Sequence, residues 1–503
     1  MTTETAIGMA TEPMPELAEA HMRGLLASLG LAAEYVRGSG DTLWWRTPDG
    51  DVPVVDFVGG YGSLMLGHNH PAIVERAWEL LGEQVPVHAQ FSYHPYANDL
   101  AGALNRILWR EFDTDEPYSA LFANTGAEAV EVALKHAEMD RGLRVAALAS
   151  EIKDHLAAAG SDAQDLVRKV REHNDGRFDT PPVLLTLEGS FHGKLAGSVQ
   201  LTHNPGYRLP FRGLAAQARF ASPAEVAKVA EAERVVVLDL DVSGDRARIV
   251  ERDLPVVAAF FVEPIQGEGG IHVLDAAVAA EIRAVADAGG FPVVVDEVQS
   301  GMGRTGRFFA ASHVGLLGDY VVLAKALGGG IAKSSVLLVR RDRYLPDFEL
   351  LHSSTFAKDA FSCHIGSRVV ELLEAGDGAA YERATERGAA LEGALRSVRE
   401  QYPDVVADVR GRGLMLGLEL HEQSAAAEPI GEFARTGLIG YLMAGYLLRA
   451  HRVRVFPTAS APHTLRFEPS ILVSDAEIEQ LRTALLAACA ILREQDGMRL
   501  LPG

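Results

Sequence analysis

Two lysines, Lys325 and Lys333, stand in the otherwise apolar and glycine-rich run "DYVVLAKALGGGIAKSSVLLV", residues 319–339. An amine in such surroundings is costly without a partner, and burial pushes it toward the neutral, nucleophilic form. Asp296 closes a second apolar run, "PVVVDEVQ", with Val298 and Gln299 just beyond it. Phe191 and His192 follow a third in "LEGSFHGK", beside glycines that let a ring approach closely. In "ALFANTGAEAVEVALKHA" a fourth run ends at Asn124, and Thr125, Gly126 and Ala127 open a long helix. Backbone amides at that helix start can hold a phosphate at the positive end of the helix dipole, although an ordinary N-cap explains the stretch equally well.

One small molecule would partner all of these groups at once, pyridoxal phosphate. Lys325 can form a Schiff base with its aldehyde, and Asp296 can keep the pyridine nitrogen protonated so that the ring acts as an electron sink. Phe191 can stack on one ring face while Val298 packs on the other.

These residues need a scaffold that gathers the ends of separate runs. From about Leu100 to Val339, short β-branched runs such as "PVLLTL", "VVAAFFVEP", "FPVVVDEV" and "DYVVLAKAL" alternate with longer Ala, Glu and Leu segments. That is the pattern of strands joined by crossover helices in a parallel sheet, and the lack of polar alternation predicts cover on both faces. Open α/β sheets place their ligands at the carboxyl ends of the strands, where all four groups would lie. The last part of the chain, with "DVVADVRGRGLMLGLEL", "HRVRVFPTA" and "HTLRFEP", predicts a smaller α+β lobe; Ser474 and Glu477 predict a capping box opening its last helix. The charged, alanine-rich segment 144–182 breaks the rhythm and predicts a surface helix pair or inserted excursion, with a loop around "HNDGRFDTPP".

Two other motifs invite chemistry and do not hold it. "GMGRTG", residues 301–306, fits the glycine pattern of dinucleotide folds, yet the aromatic "RFFAASHVG" follows instead of a helix and a second strand ending in an acid. Asp296 and Glu297 before it would repel a pyrophosphate. "GHNHP", residues 67–71, has two histidines but no accompanying carboxylate or cysteine set, so no metal site is expected there or elsewhere. The formal net charge of -21 argues against nucleic acid or an anionic membrane as partner. Two cysteines in 503 residues exclude a disulfide framework, and the N-terminus has no basic or long apolar segment of a secretory signal. A cytoplasmic, soluble protein is the expectation, with small molecules or other proteins as its partners.

The ordered set "VVDFVGGYGSLMLGHNHP", "NTGAEAVEVALKHA", "SFHGK", "EPIQGEGG", "VVVDEVQSGMGRTGRF", "LAKALGGGIA", "HSSTF" and "LRFEP" resembles the class III aminotransferases of pyridoxal-phosphate fold type I. The resemblance implies a large domain with a mostly parallel seven-stranded sheet between helices, and a smaller α+β domain from both chain ends. In residues, that is an N-terminal segment 1–65 joining the small domain, a large cofactor domain 66–345 with the insertion at about 144–182, and a small domain 346–503. Thr125, Gly126 and Ala127 would hold the cofactor phosphate, and Thr355 would reach it from the partner of a homodimer. Phe191, His192, Asp296, Val298 and Gln299 would surround the ring, with Gln299 near its phenolic oxygen, and Lys325 would bind its aldehyde. Glu268 and Arg466 would form a gate pair in which the arginine takes a substrate carboxylate and the glutamate masks it. Tyr61 is placed with the substrate residues, although packing explains it and His192 about equally.

The implied reaction moves an amino group, from a distal or ω amine, to an oxo acid such as 2-oxoglutarate or pyruvate by a ping-pong route. Aminomutases, decarboxylases and racemases share the architecture and are the alternative; a catalytically silent binding protein is the reading from another class. The chain departs from the family pattern at "AKDAFSC" after "HSSTF", at Lys194 and in the 144–182 segment. Lys333 lies beyond the glycine turn and is assigned no role.

Overall fold

The computed structural model describes residues 18–89, 92–93, 95–243 and 246–502; residues 1–17, on which the reading of the N-terminus rests, lie outside the described residues. The apolar runs form strands: β1 (Tyr118–Ala123), β2 (Val183–Leu187), β3 (Ala218–Ala221), β4 (Val257–Val262), β5 (Val293–Asp296), β6 (Tyr320–Leu323) and β7 (Ser335–Arg340). They make one seven-stranded sheet in the order β1-β7-β6-β5-β4-β2-β3. Every neighbouring pair is parallel except those of β7, which runs antiparallel to β6 and β1.

Every residue of β2, β4, β5 and β6 is buried, because successive side chains point to opposite faces and both faces are covered. Val293 and Val295 pack with Ile282 and Ala286 of the crossover helix Ala276–Gly289. Val294 and Val322 pack on the other face with Ala129, Val130 and Ala133 of the helix Gly126–Ala158. Asp275 caps the crossover helix by accepting from Ala277 N, and Gly290 ends it at φ 67°, a left-handed turn that glycine adopts without strain.

Strands from both chain ends pair. Gly50–Asp56 runs parallel to Val453–Arg454, extending the N-terminal sheet of Tyr35–Ser39 and Thr42–Thr47. A second antiparallel sheet joins Val406–Arg412, Met415–Leu420, Thr464–Phe467 and Phe456–Pro457. The predicted capping box is present: Ser474 Oγ accepts from Glu477 N, and Glu477 Oε2 accepts from Ser474 N at 2.7 Å.

The 144–182 segment is less superficial than its composition suggests. The helix that starts at Gly126 runs unbroken to Ala158, and a second, Gln164–Asn174, continues into part of the expected loop. Leu148, Ile152, Val167 and Val170 are buried against Val237 and Leu240 of a hairpin, Val235–Asp241 with Arg248–Leu254, to which the sequence reading assigns no element. Asn174 ties them by donating to Leu238 O and accepting from Leu238 N, both at 2.8 Å. Two excursions far apart in sequence thus bury each other's apolar side chains. Among the described residues no helix is long and apolar enough to cross a membrane.

Candidate active site

The parallel strands deliver their carboxyl ends to one edge, where β5 ends at Asp296 and β6 leads through Ala324 to Lys325. Asp296 is 5% exposed; its Oδ1 accepts from Val298 N at 3.0 Å and its Oδ2 lies 2.8 Å from His192 Nδ1. His192 is buried, and its other ring nitrogen lies 3.3 Å from Thr186 Oγ1 on β2. Burial disfavours the charged imidazole, but the carboxylates of Asp296 and Glu263 outweigh it and hold the histidine above its ordinary value. His192 thus stands directly behind Asp296. Glu263, which follows β4, accepts from Phe191 N at 2.8 Å and Gly267 N at 3.2 Å, and burial pushes its carboxyl up to about 7.

Lys325 takes φ 46°, a left-handed conformation that is strained for a residue other than glycine. Burial holds this amine below the ordinary lysine value, against the raising effect of Glu468, Glu268 and Asp296. Lys333 is exposed beyond the glycine turn. The two lysines of one apolar run thus differ, Lys325 half-buried with the carboxyl groups of Glu468, Glu268 and Asp296 near its amine and Lys333 exposed.

At the start of Gly126–Ala158, Thr125 and Glu128 form a capping box. Thr125 Oγ1 accepts from Glu128 N, and Glu128 Oε2 accepts from Asn124 N at 2.7 Å and Thr125 N at 3.0 Å. The box leaves the N–H groups of Gly126 and Ala127 as the first-turn donors with no acceptor inside the helix. A Cβ on Gly126 would stand 2.8 Å from a Val298 methyl, so only glycine fits beside that side chain. Ser354 Oγ accepts from Asn124 Nδ2 at 2.7 Å, which brings the "HSSTF" loop with Thr355 to this helix start within the same chain.

The opposite wall is charged. Arg466, 1% exposed, donates through Nη1 to Glu268 Oε1, while Glu268 Oε2 accepts from Ala459 N at 2.8 Å. Its Nε lies 3.3 Å from Glu468 Oε2, which also accepts from Gln299 Nε2 at 2.9 Å. Burial raises the Glu268 carboxyl, but Arg466 and Lys325 overcome this and hold it low. Tyr61, at φ 57° and 44% exposed, lays its ring 4.8 Å from the Arg466 guanidinium carbon. The predicted pair of Glu268 and Arg466 is thus brought together, with Tyr61 against it.

Three features escape the sequence reading. Glu263 and Glu468 join the site from quoted motifs, and Tyr207 packs edge-on to Phe191 with Lys194 Nζ 3.8 Å over its ring. Arg304 of "GMGRTG" is fully buried and donates to Leu414 O, Pro469 O and Gly62 O, so that motif clasps the site's walls. In "GHNHP", His68 Nε2 lies 2.9 Å from Asp56 Oδ2 and His70 precedes the helix Pro71–Gly82. Away from the site, Glu151, His155 and Asp239 cluster, but Arg252 already sits on both carboxylates.

The arrangement offers an amine, a buried carboxylate, an anion cradle and a guanidinium around one edge of a sheet. Comparison with known proteins agrees with it. The family model "aminotransferase class-III" matches residues 30–489. The chain is 30% identical over 457 residues to the acetylornithine aminotransferase of a Synechocystis species, covering 91% of this chain and 89% of that protein. Two structures of ornithine aminotransferase from Toxoplasma gondii share its fold, with TM-scores of 0.66 and 0.67 at 24% and 23% identity, each covering 92% of this chain and 91% of the other. The chain belongs to the class III aminotransferases, enzymes that use pyridoxal 5'-phosphate.

Proposed function

We propose that Lys325 and Asp296 are the catalytic pair of this transaminase, and that it takes an amino group from a distal primary amine and gives it to an oxo acid. The observation that carries the assignment is the amine of Lys325, held toward neutrality, at the tip of β6 beside Asp296 at the tip of β5.

The residues fit the cofactor. The capping box leaves the Gly126 and Ala127 amides for a phosphate, with Thr125 bounding the cradle and Thr355 as a further contact from the loop that Ser354 ties to Asn124 of the same chain. Phe191 and Val298 would bracket the ring, Asp296 would meet its nitrogen, and Gln299 would lie near its phenolic oxygen. Bound there, pyridoxal phosphate supplies an aldehyde for amines and a ring that accepts the electron pair left when carbon loses a proton.

The chain's own residues do the rest. Lys325, its amine held below the ordinary lysine value, takes the proton from the donor carbon and returns it. Asp296, oriented by His192, would hold the proton on the ring nitrogen. Glu268 swings away from Arg466 when a substrate carboxylate arrives and returns when none does. Over the full cycle the donor carbon is oxidised to a carbonyl with oxygen from water. The acceptor carbonyl is reduced to the amine and its oxygen leaves as water, so no outside oxidant is required. Ping-pong kinetics follow.

The test is a donor panel with 2-oxoglutarate and pyruvate as acceptors. A donor alone should convert the bound cofactor to its aminated form in one equivalent; a decarboxylase or racemase would not accumulate that form. Acetylornithine and ornithine enter the panel because the relatives bear those names.

We assign the chain to three parts, an N-terminal segment 1–65 joining the small domain, a large domain 66–345 and a small domain 346–503, on the pairing of Gly50–Asp56 with Val453–Arg454. A homodimer is supported by large apolar side chains left exposed near the "HSSTF" loop, Leu350 at 89%, Leu351 at 66% and Phe356 at 63%. Light scattering should give twice the chain mass. A cytoplasmic place is supported by Cys363 and Cys489, both free and buried.

A further inference from the structure

Glu468 is 0% exposed and brings its carboxyl group into the wall of the site. Its Oε2 is shared between Gln299 Nε2 and Arg466 Nε, while its Oε1 is buried with no hydrogen-bond partner. A buried carboxylate oxygen without a donor is costly to leave unsatisfied and marks a place for a ligand group.

The charge count points the same way. Glu268, Arg466 and Glu468 form one cluster with side-chain exposures of 12%, 1% and 0%, two negative charges on one positive.

The two carboxylates are held differently. Glu268 sits in the turn between the short strands Ile265–Gln266 and His272–Val273, its carbonyl accepting from Ser460 N at 2.9 Å and its Oε2 from Ala459 N at 2.8 Å. Glu468 is pinned: its N–H donates to Phe57 O at 2.7 Å, and its carbonyl lies where a Cβ on Gly59 would be 2.0 Å away. When Glu268 moves aside, Arg466 still faces Glu468. A carboxylate brought there meets the fixed Glu468 as well as the arginine and is bound less well for it, whereas an ammonium is attracted by the same group.

We propose that Glu468 selects the amine donor, favouring one whose far end is an ammonium rather than a carboxylate, an α,ω-diamine. The far ammonium takes the free Glu468 Oε1 and leaves Glu268 on Arg466. The oxo-acid half-reaction uses the other unpartnered atom of the cluster, Arg466 Nη2, for the acceptor carboxylate. One orphaned acceptor and one orphaned donor thus serve the two halves of the cycle. This rests on the transaminase reading above and narrows its substrate class.

The test compares wild type with Glu468→Gln, which keeps the shape and removes the charge. Donors of one length are 1,4-diaminobutane, butylamine and 4-aminobutyrate, with pyruvate as acceptor. The wild type should prefer the diamine to 4-aminobutyrate by about tenfold or more in kcat/KM. Glu468→Gln should lose at least about tenfold more on the diamine than on butylamine, gain on 4-aminobutyrate, and lower the KM for 2-oxoglutarate. A merely structural glutamate would shift every substrate together. The same ordering should appear without turnover in dissociation constants titrated spectrally in the Lys325→Ala holoenzyme. Equal or better use of 4-aminobutyrate by the wild type, or an equal change for all donors in Glu468→Gln, overturns the proposal. If no donor aminates the cofactor, the transaminase reading falls instead, and the binding order in Lys325→Ala still decides the role of Glu468.

Discussion

His192 touches Asp296 at 2.8 Å, and among the described residues no other side chain makes a hydrogen bond to that carboxylate. In His192→Ala, Asp296 keeps Val298 N, and Thr186 Oγ1 loses its neighbour. A hydrogen bond to an ionised group contributes about 1.5–3 kcal/mol, equivalent to roughly 10- to 150-fold in a rate or an equilibrium constant. The loss should fall on whatever Asp296 does, so the cofactor dissociation constant should rise and the single-turnover rate with a donor should drop within that range. The donor KM should change by no more than about threefold, since the imidazole lies behind the carboxylate. His192→Asn keeps a donor close to the Nδ1 position and should recover most of both losses. Cofactor binding is read by titrating apoenzyme, and the rate by cofactor absorbance after mixing with excess donor. A variant in which only the donor KM moves would show that His192 contacts substrate and does not act through Asp296.

Lys325→Ala should lose the borohydride-reducible link to the cofactor and all transamination, while Lys333→Ala should keep both; mass spectrometry after reduction reads the link. Gly126→Ala places a methyl 2.8 Å from Val298 and should weaken cofactor binding about tenfold while far-ultraviolet circular dichroism is retained. Burial lifts the Glu297 carboxyl from 4.5 to about 7, so the folded state holds its proton more tightly than the unfolded chain. That contribution is fully present below about 4.5 and is lost as pH rises through about 7, a change of about 3 kcal/mol. Glu297→Gln should therefore raise Tm by about 3 °C at pH 8.5 relative to wild type and show little gain at pH 4.5; an unchanged pH slope would refute the assignment.

The cofactor side of the site is legible in the chain because each of its groups lies within a few residues of a strand end. Lys325, Asp296 with Val298 and Gln299, Phe191 with His192, and Thr125 to Ala127 all follow apolar runs, and a parallel sheet brings such ends to one edge without further information. The insertion is only half legible. Its helices show in their periodicity, but the burial of Leu148 and Val170 depends on a hairpin more than sixty residues downstream, which no local pattern announces.

The substrate side is built differently. Tyr61, Glu268 and the pair of Arg466 and Glu468 come from three distant segments, and their meeting depends on how the chain ends close over the sheet. One signal was available: residues two apart on an extended chain share a face, so Arg466 commits Glu468 to the same wall. What brings that wall to the other segments is Arg304, whose Nη1 donates to Leu414 O and Pro469 O and whose Nη2 donates to Gly62 O. Gly303 and Gly306, at φ 92° and 89°, let its loop lie against Tyr381 and Thr385, where a Cβ would fall 2.9 and 2.3 Å from their atoms. The glycine motif that imitates a dinucleotide turn thus has its own physical reason. It carries one buried guanidinium to three carbonyls, and through Gly62 and Pro469 it sets the register between Tyr61 and the charged cluster that meets the donor.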